Sequence, residues 1–269
     1  MPVKDKTEDG IGHRLGRRQF LKLAGATAMG TAMGGVALRL GLLRGSEAAA
    51  STDDPLTKHQ WAMVFDLRRC DGCKRCTKAC RKMHYLPKDQ EWIKVYEAES
   101  AGGQKYFLPR PCMQCENPPC VKVCPVQATY QVPDGVTLVD QNVCIGCRMC
   151  MAACPYEARY FNWDDPPEVP STVPEPRPEW PVPQQKGTVG KCVFCVHDIR
   201  YGRLPACVTA CTMEAIYLGD FNTDLATTGK KTVKLSELIK DNDAFRLKEE
   251  LNTRPRVYYI AGHGQDLKY

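Results

Sequence analysis

The chain has 269 residues, enough for one large domain or two small ones, with 43% hydrophobic and 25% charged residues, an ordinary balance for a soluble protein. Its formal charge of +6 does not argue for nucleic acid: residues 1–50 hold eight Lys/Arg against four Asp/Glu, and the remainder 29 against 27, too even for a phosphate-binding face. Sixteen cysteines are too many for a metal-free cytosolic enzyme and too clustered, in too long a chain, for a small disulfide scaffold.

Residues 1–50 read as an export segment. A polar stretch ends in Arg17-Arg18-Gln19-Phe20-Leu21-Lys22, an apolar run follows from Leu23 to Leu43, and Ala48-Ala49-Ala50-Ser51 is an A-x-A type cleavage site. Two adjacent arginines before a mild, glycine-rich apolar run resemble a twin-arginine signal, which passes proteins already folded, often with cofactors inserted. A membrane anchor is the competing reading, since about twenty apolar residues can span a bilayer. Five glycines (Gly25, Gly30, Gly34, Gly35, Gly41) and Arg39 within the run weigh against it. Thiols that take up metal before export would cross the membrane already occupied.

The mature part alternates short apolar strands with cysteine groups. Trp61–Phe65 is a strand, followed by Cys70, Cys73, Cys76 and Cys80 in CDGCKRCTKAC. Cys112, Cys115, Cys120 and Cys124 follow in CMQCENPPCVKVCP. Pro133-Asp134-Gly135 suits a hairpin turn ahead of a strand at Val136–Val139. Cys144, Cys147, Cys150 and Cys154 come next in CIGCRMCMAACP. Eight prolines between Asp164 and Gly190 predict an extended strap around Trp180 with no core of its own, read as a solvated insertion in preference to a docking strap. The last group is Cys192, Cys195, Cys207 and Cys211 in CVFCVHDIRYGRLPACVTAC, with a strand at Ala215–Leu218 after it. Beyond Gly229, VKLSELI and AFRLKEEL predict one or two helices before a final strand at Arg256–Ile260.

Four groups of four account for every cysteine. Zinc sites usually pair two C-x2-C knuckles across a longer loop, whereas the third group is the C-x2-C-x2-C-x3-C-P run of bacterial ferredoxins, complete with Pro155. Two-residue spacers wrap a tight loop around a cube corner, so three thiolates reach three irons and loop amides can face the sulfurs. Zinc remains an alternative chiefly at the fourth group, whose long spacer suits a ribbon.

From about Lys58 to Ile260 the chain resembles the four-cluster iron–sulfur subunits of the molybdopterin oxidoreductase superfamily, such as those of polysulfide, tetrathionate and dimethyl sulfoxide reductases and of the sulfite-reduction membrane complex. The matching stretches are WAMVFDLRRCDGC, QCENPPCVKVCPVQATY, DQNVCIGCRMCMAACPYEARYFNW and KCVFCVHDIRYGRLPACVTAC. Two departures stand out: neither Cys80 nor Cys211 is followed by proline. No group has a ligand replaced, which leaves no basis for a 3Fe–4S site.

The resemblance implies four 4Fe–4S clusters with crosswise ligation. One cluster takes Cys70, Cys73, Cys76 and Cys211, and its mate Cys192, Cys195, Cys207 and Cys80. The inner pair takes Cys112, Cys115, Cys120 with Cys154, and Cys144, Cys147, Cys150 with Cys124. The implied fold is α+β, two nested bacterial-ferredoxin-like modules with long loops. Residues 56–108 plus 191–225 form the outer module, 109–163 the inner one, 164–190 the strap and 226–269 a C-terminal extension.

No glycine-rich dinucleotide loop, Ser/His/Asp pattern or pterin or flavin site is recognisable. His59, His84, His197 and His263 share no grouping by spacing. Lys74, Arg75, Lys78, Arg81 and Lys82 are either a solvated helix face or cations offsetting cluster charge. The expected role is a non-catalytic electron-transfer subunit, relaying single electrons between a molybdopterin-type catalytic subunit and a multi-helix quinone-interacting membrane subunit. Its expected place is peripheral, on the periplasmic face of the cytoplasmic membrane, with no nucleic-acid partner. A freely diffusing periplasmic polyferredoxin is the alternative.

Overall fold

The computed structural model describes residues 58–100 and 102–262, so the export segment and His263 lie outside the described residues. Strand β1 (Trp61–Asp66) is buried at all six positions. The unbroken apolar run of its first five residues is what a strand covered on both faces requires. The first cysteine loop leads into helix α1 (Arg75–His84), then the antiparallel pair β2 (Lys94–Glu99) and β3 (Lys105–Arg110). The second loop runs into the one-turn helix α2 (Pro119–Lys122), which starts on a proline whose ring presets the helical φ. Strands β4 (Thr129–Gln131) and β5 (Thr137–Val139) form the hairpin around Pro133-Asp134-Gly135, with Gly135 at φ +83° where a side chain is strained.

The third loop enters α3 (Met149–Ala152), and β6 (Tyr160–Phe161) pairs across the base of the proline strap with β7 (Val189–Gly190). Two further turns of helix follow, α4 (Val196–Ile199) and α5 (Ala206–Thr209). The chain then makes β8 (Ile216–Asp220), β9 (Leu225–Thr227), β10 (Thr232–Lys234), α6 (Leu235–Lys240) and β11 (Val257–Ile260). One five-stranded sheet, in the order β10-β9-β8-β1-β11, gathers strands from both ends of the described chain; β1 runs antiparallel to β8 and parallel to β11. Small sheets and short helices make this an α+β fold.

The structure corrects two sequence expectations. AFRLKEEL does not form a second helix: only Glu249–Leu251 turn, as a 3-10 helix, while Phe245 exchanges two backbone hydrogen bonds with Tyr259 at 2.9 and 2.8 Å. Pairing with the buried end of β11 outcompetes a local helical pattern that is only a weak preference. The strap is likewise not wholly a solvated insertion. Val182 and Gln184 are buried, and the Gln184 side-chain oxygen accepts from Gln141 Nε2 at 2.7 Å.

Candidate metal centres

The first and third cysteine loops share one local design. Gly72 and Gly146 each precede the second cysteine, at φ +72° and +68°; Lys74 and Arg148 each follow it, also left-handed at +57° and +61°. This pair of left-handed turns curls the loop tightly around the second cysteine, and α1 and α3 then carry Cys76 and Cys150 onward. Neither glycine could be replaced without strain. A Cβ on Gly146 would sit 2.1 Å from the carbonyl oxygen of Gly187, and one on Gly72 would sit 2.5 Å from the Phe107 ring. Backbone cannot yield as a ring can. Gly146→Ala is therefore expected to add about 1–3 kcal/mol of backbone strain besides the clash, lowering both the melting temperature and the iron content. Native values of both would contradict this account.

The tertiary structure draws together cysteines that are far apart in sequence. Cys70, Cys73 and Cys76 line one small cavity with Cys211, the last cysteine of the fourth group. Cys80 lines a second cavity with Cys192, Cys195 and Cys207. Cys115 lies within electrostatic reach of Cys112, Cys120 and Cys154. Cys150 lies within reach of Cys144 and, across the group boundary, of Cys120. Cys124 accepts the Thr129 amide at 3.4 Å, and the Thr129 hydroxyl accepts from Arg159 at 3.1 Å. Neighbouring groups lie within electrostatic reach as well: Cys76 of Cys80 and Cys207, and Cys112 of Cys192. No disulfide joins any of the sixteen cysteines, and the two exposed ones are Cys73 and Cys147.

Burial, followed by the proximity of Cys70 for Cys76 and of Cys112 for Cys115 and Cys192, raises these thiols: Cys76 and Cys115 to about 12 and Cys192 to about 11. Cys80 and Cys207 are also pushed well up, chiefly by burial. Such sulfurs become thiolates only when a metal replaces the proton.

Three features fit an anionic cluster with thiolate ligands. First, backbone amides already point at sulfur: Phe194 at Cys192 (3.4 Å) and Ala215 at Cys211 (3.3 Å), besides Thr129 at Cys124. Second, Arg159 is only 4% exposed and has no carboxylate partner among the described residues, and its Nη2 makes no hydrogen bond. Burial opposes its charge, yet the sulfurs of Cys120, Cys150 and Cys112 more than offset this and hold its pKa above the ordinary arginine value. Third, Lys191 is 1% exposed, and among the described residues its Nζ reaches only the carbonyl oxygen of Cys192, at 2.7 Å. A buried cation without a counter-charge is very costly. A dianionic cube beside each would supply that charge.

Other residues around the sites carry no signal in their spacing. Residues 253–256 run beside the second cysteine loop, donating from Arg256 to Met113 O (2.9 Å) and accepting at Thr253 and Arg254 from Asn117 and Glu116 (3.0 and 2.9 Å). His84 and His197, 113 positions apart, meet edge to face at 5.3 Å, and Trp180 of the strap stacks on His197 at 5.4 Å. His59 instead bonds Asp220 at 2.9 Å. The basic cluster at the start of α1 is mostly an exposed face, on which Arg75 reaches Thr212 and Arg81 reaches Glu91. No signal short of the fold itself would have paired the histidines.

Comparison with known proteins decides the lineage. The family of 4Fe-4S dicluster domains matches twice, over residues 69–128 and 104–169. A selenate reductase subunit of Mesobacillus selenatarsenatis is 42% identical over 222 residues, covering 77% of this chain and 74% of that protein. A putative dimethyl sulfoxide reductase iron-sulfur subunit of Halobacterium salinarum is 38% identical over 218 residues, 75% of this chain and 79% of that protein. The chain belongs to this family of 4Fe–4S iron–sulfur subunits. The menaquinone reductase iron-sulfur cluster-binding subunit of Nitratidesulfovibrio vulgaris is a further member, 39% identical over 243 residues, 76% of this chain and 89% of that protein. Both matched dicluster segments end before the fourth cysteine group, which comes to the first group only through the fold.

Proposed function

We propose that the chain is the electron-transfer subunit of a multi-subunit reductase, holding four 4Fe–4S clusters in two nested ferredoxin-like modules. Ligation is crosswise: Cys70, Cys73, Cys76 and Cys211; Cys80, Cys192, Cys195 and Cys207; Cys112, Cys115, Cys120 and Cys154; Cys124, Cys144, Cys147 and Cys150. When bound, each cube supplies one-electron redox chemistry without making or breaking a substrate bond. The chain's own part is to hold the sites in file and keep water from the middle. One observation carries this reading. The four sets come within electrostatic reach of one another in that order, Cys76 of Cys80, Cys112 of Cys192 and Cys120 of Cys150, and the exposed thiols, Cys73 and Cys147, belong to the two end sets.

Around Cys147 the surface is apolar, with Ile145 64%, Met149 53% and Trp163 61% exposed. The Arg148 guanidinium lies over the Phe161 and Trp163 rings at 5.3 and 5.0 Å. Such a patch over an end set suits a docked protein partner. A molybdopterin-type catalytic subunit and a quinone-reactive membrane subunit are the partners by family resemblance, and the Arg17-Arg18 segment supports folded export to the periplasmic face.

The test is cell fractionation with metal analysis. Native protein is expected in detergent-released complexes on the outer face, with about sixteen iron per chain, and Lys at both Arg17 and Arg18 is expected to strand loaded protein in the cytoplasm. Recovery as a soluble monomer that exchanges electrons with several unrelated partners would favour a diffusing carrier. Stoichiometric zinc without iron would end the reading.

A further inference from the structure

His84 is the last residue of α1 and stands one turn after Cys80, so the two side chains share a helix face. It lines the same cavity as Cys80, Cys192, Cys195 and Cys207. Its Nε2 lies 3.5 Å from Cys195 Sγ, its Nδ1 is buried without a partner, and the residue is 1% exposed. The ring cannot swing away: Trp92 packs against it at 4.8 Å and the His197 ring meets it edge to face at 5.3 Å. Among the described residues, this is the one cysteine with a hydrogen-bonding contact to an imidazole.

We infer that His84 is a positioning residue that donates its Nε2–H to the Cys195 sulfur and thereby raises the reduction potential of the cluster held by Cys80, Cys192, Cys195 and Cys207. The inference rests on the reading that these four cysteines hold a cluster. The tautomer follows from the surroundings. A lone pair on Nε2 would face the lone pairs of an anionic thiolate, whereas an N–H there is attracted to it. Nδ1 then carries the lone pair, and the His84 ring itself buries no N–H without an acceptor. Reduction adds one negative charge to a cube that already bears net negative charge through its thiolates. A donor on a ligating sulfur therefore stabilises the reduced state more than the oxidised one, and hydrogen bonds to sulfur are among the determinants of such potentials. Among the described residues the other three sets lack this contact, so His84 distinguishes the second site from its neighbours and makes its cluster easier to reduce than the same cluster would be without the ring.

A second use of the same atoms is a metal ion bound by His84, Cys195 and His197, whose ligand atoms lie within 4.8 Å of one another. A single sulfur serving as a terminal ligand of a cube argues against that use, and the experiment separates the two.

The test uses the full chain, assembled anaerobically, in native, His84→Phe and His84→Gln forms. Phenylalanine keeps a ring in the packed site and removes the donor; glutamine keeps an N–H. In His84→Phe, iron content should be unchanged and one of the four midpoints should fall. At the native midpoint of that cluster, the reduced-to-oxidised ratio should drop about tenfold, or about 59 mV for a one-electron couple. His84→Gln should stay close to native. Unchanged midpoints in His84→Phe, or equal shifts in both variants, overturn the inference. Native protein labelled with 15N in histidine gives a readout that needs no variant: pulsed paramagnetic resonance of the reduced cluster should show a weak imidazole nitrogen coupling. Absence of that coupling, the strong coupling of an iron-bound imidazole, or one equivalent of zinc in fully iron-loaded protein would each overturn it. Native protein without a cluster at the Cys80 set would fail the underlying reading as well, and the iron count identifies that case.

Discussion

Cys80→Ser protein is expected to lose about a quarter of its iron, one cube of four, and the lost signal should belong to the cluster of Cys192, Cys195 and Cys207. Cys80 is carried on the same helix as Cys76 but lies in the cavity of the fourth group, at 6% exposure. A serine hydroxyl is a poor substitute for a thiolate toward iron. The cluster of Cys70, Cys73, Cys76 and Cys211 keeps all four sulfurs in the variant and should survive. Paramagnetic spectra of reduced native and variant protein distinguish the two outcomes. Loss confined to the Cys70 set would mean that each group ligates its own cube and that crosswise pairing is wrong.

Removal of all clusters is expected to unfold the protein. Arg159 and Lys191 are buried without carboxylate partners among the described residues, and breaking a buried charge pair by deleting one member costs about 3–5 kcal/mol. Two such losses approach the whole stability of an ordinary domain, about 5–15 kcal/mol. Near-ultraviolet circular dichroism and thermal unfolding after chelation should therefore show lost tertiary packing, and a cluster-free protein with native melting would refute the counter-charge role of the cubes. The pH dependence of loading has a definite sign. Cysteine thiols are mostly protonated at neutral pH in an unfolded chain, and burial pushes them further up in the folded one, to about 11 for Cys192 and about 12 for Cys76 and Cys115, so in either state they surrender protons on binding. Loading thus releases protons, and iron retention should weaken as the pH falls.

Much of the metal site is local and therefore readable from residue order. In CDGC and CIGC the glycine takes the left-handed turn and the residue after the second cysteine repeats it, a geometry that needs only a few consecutive residues. The strands at Trp61, Val136, Ile216 and Val257 are legible for a similar reason, since a short β-rich apolar run bounded by turn residues is a local signal. AFRLKEEL misleads because its helical period competes with a backbone partner, Tyr259, that lies outside any local window. The strap misleads in part because Val182 and Gln184 are buried, and Gln184 finds its partner in a residue some forty positions earlier.

The sequence by itself determined the number of thiols, their grouping in fours and the curl of each loop, because spacing along a chain sets what one short loop can wrap. Only the tertiary structure decided which group faces which, that Arg159 and Lys191 stand buried beside sulfur, and that His84 reaches Cys195. Those relations depend on the chain returning after more than a hundred residues to lay β8 and β11 on either side of β1. Charge and hydrogen bonding act through space, so their arrangement is settled by where the chain comes back and not by the order in which its residues are written.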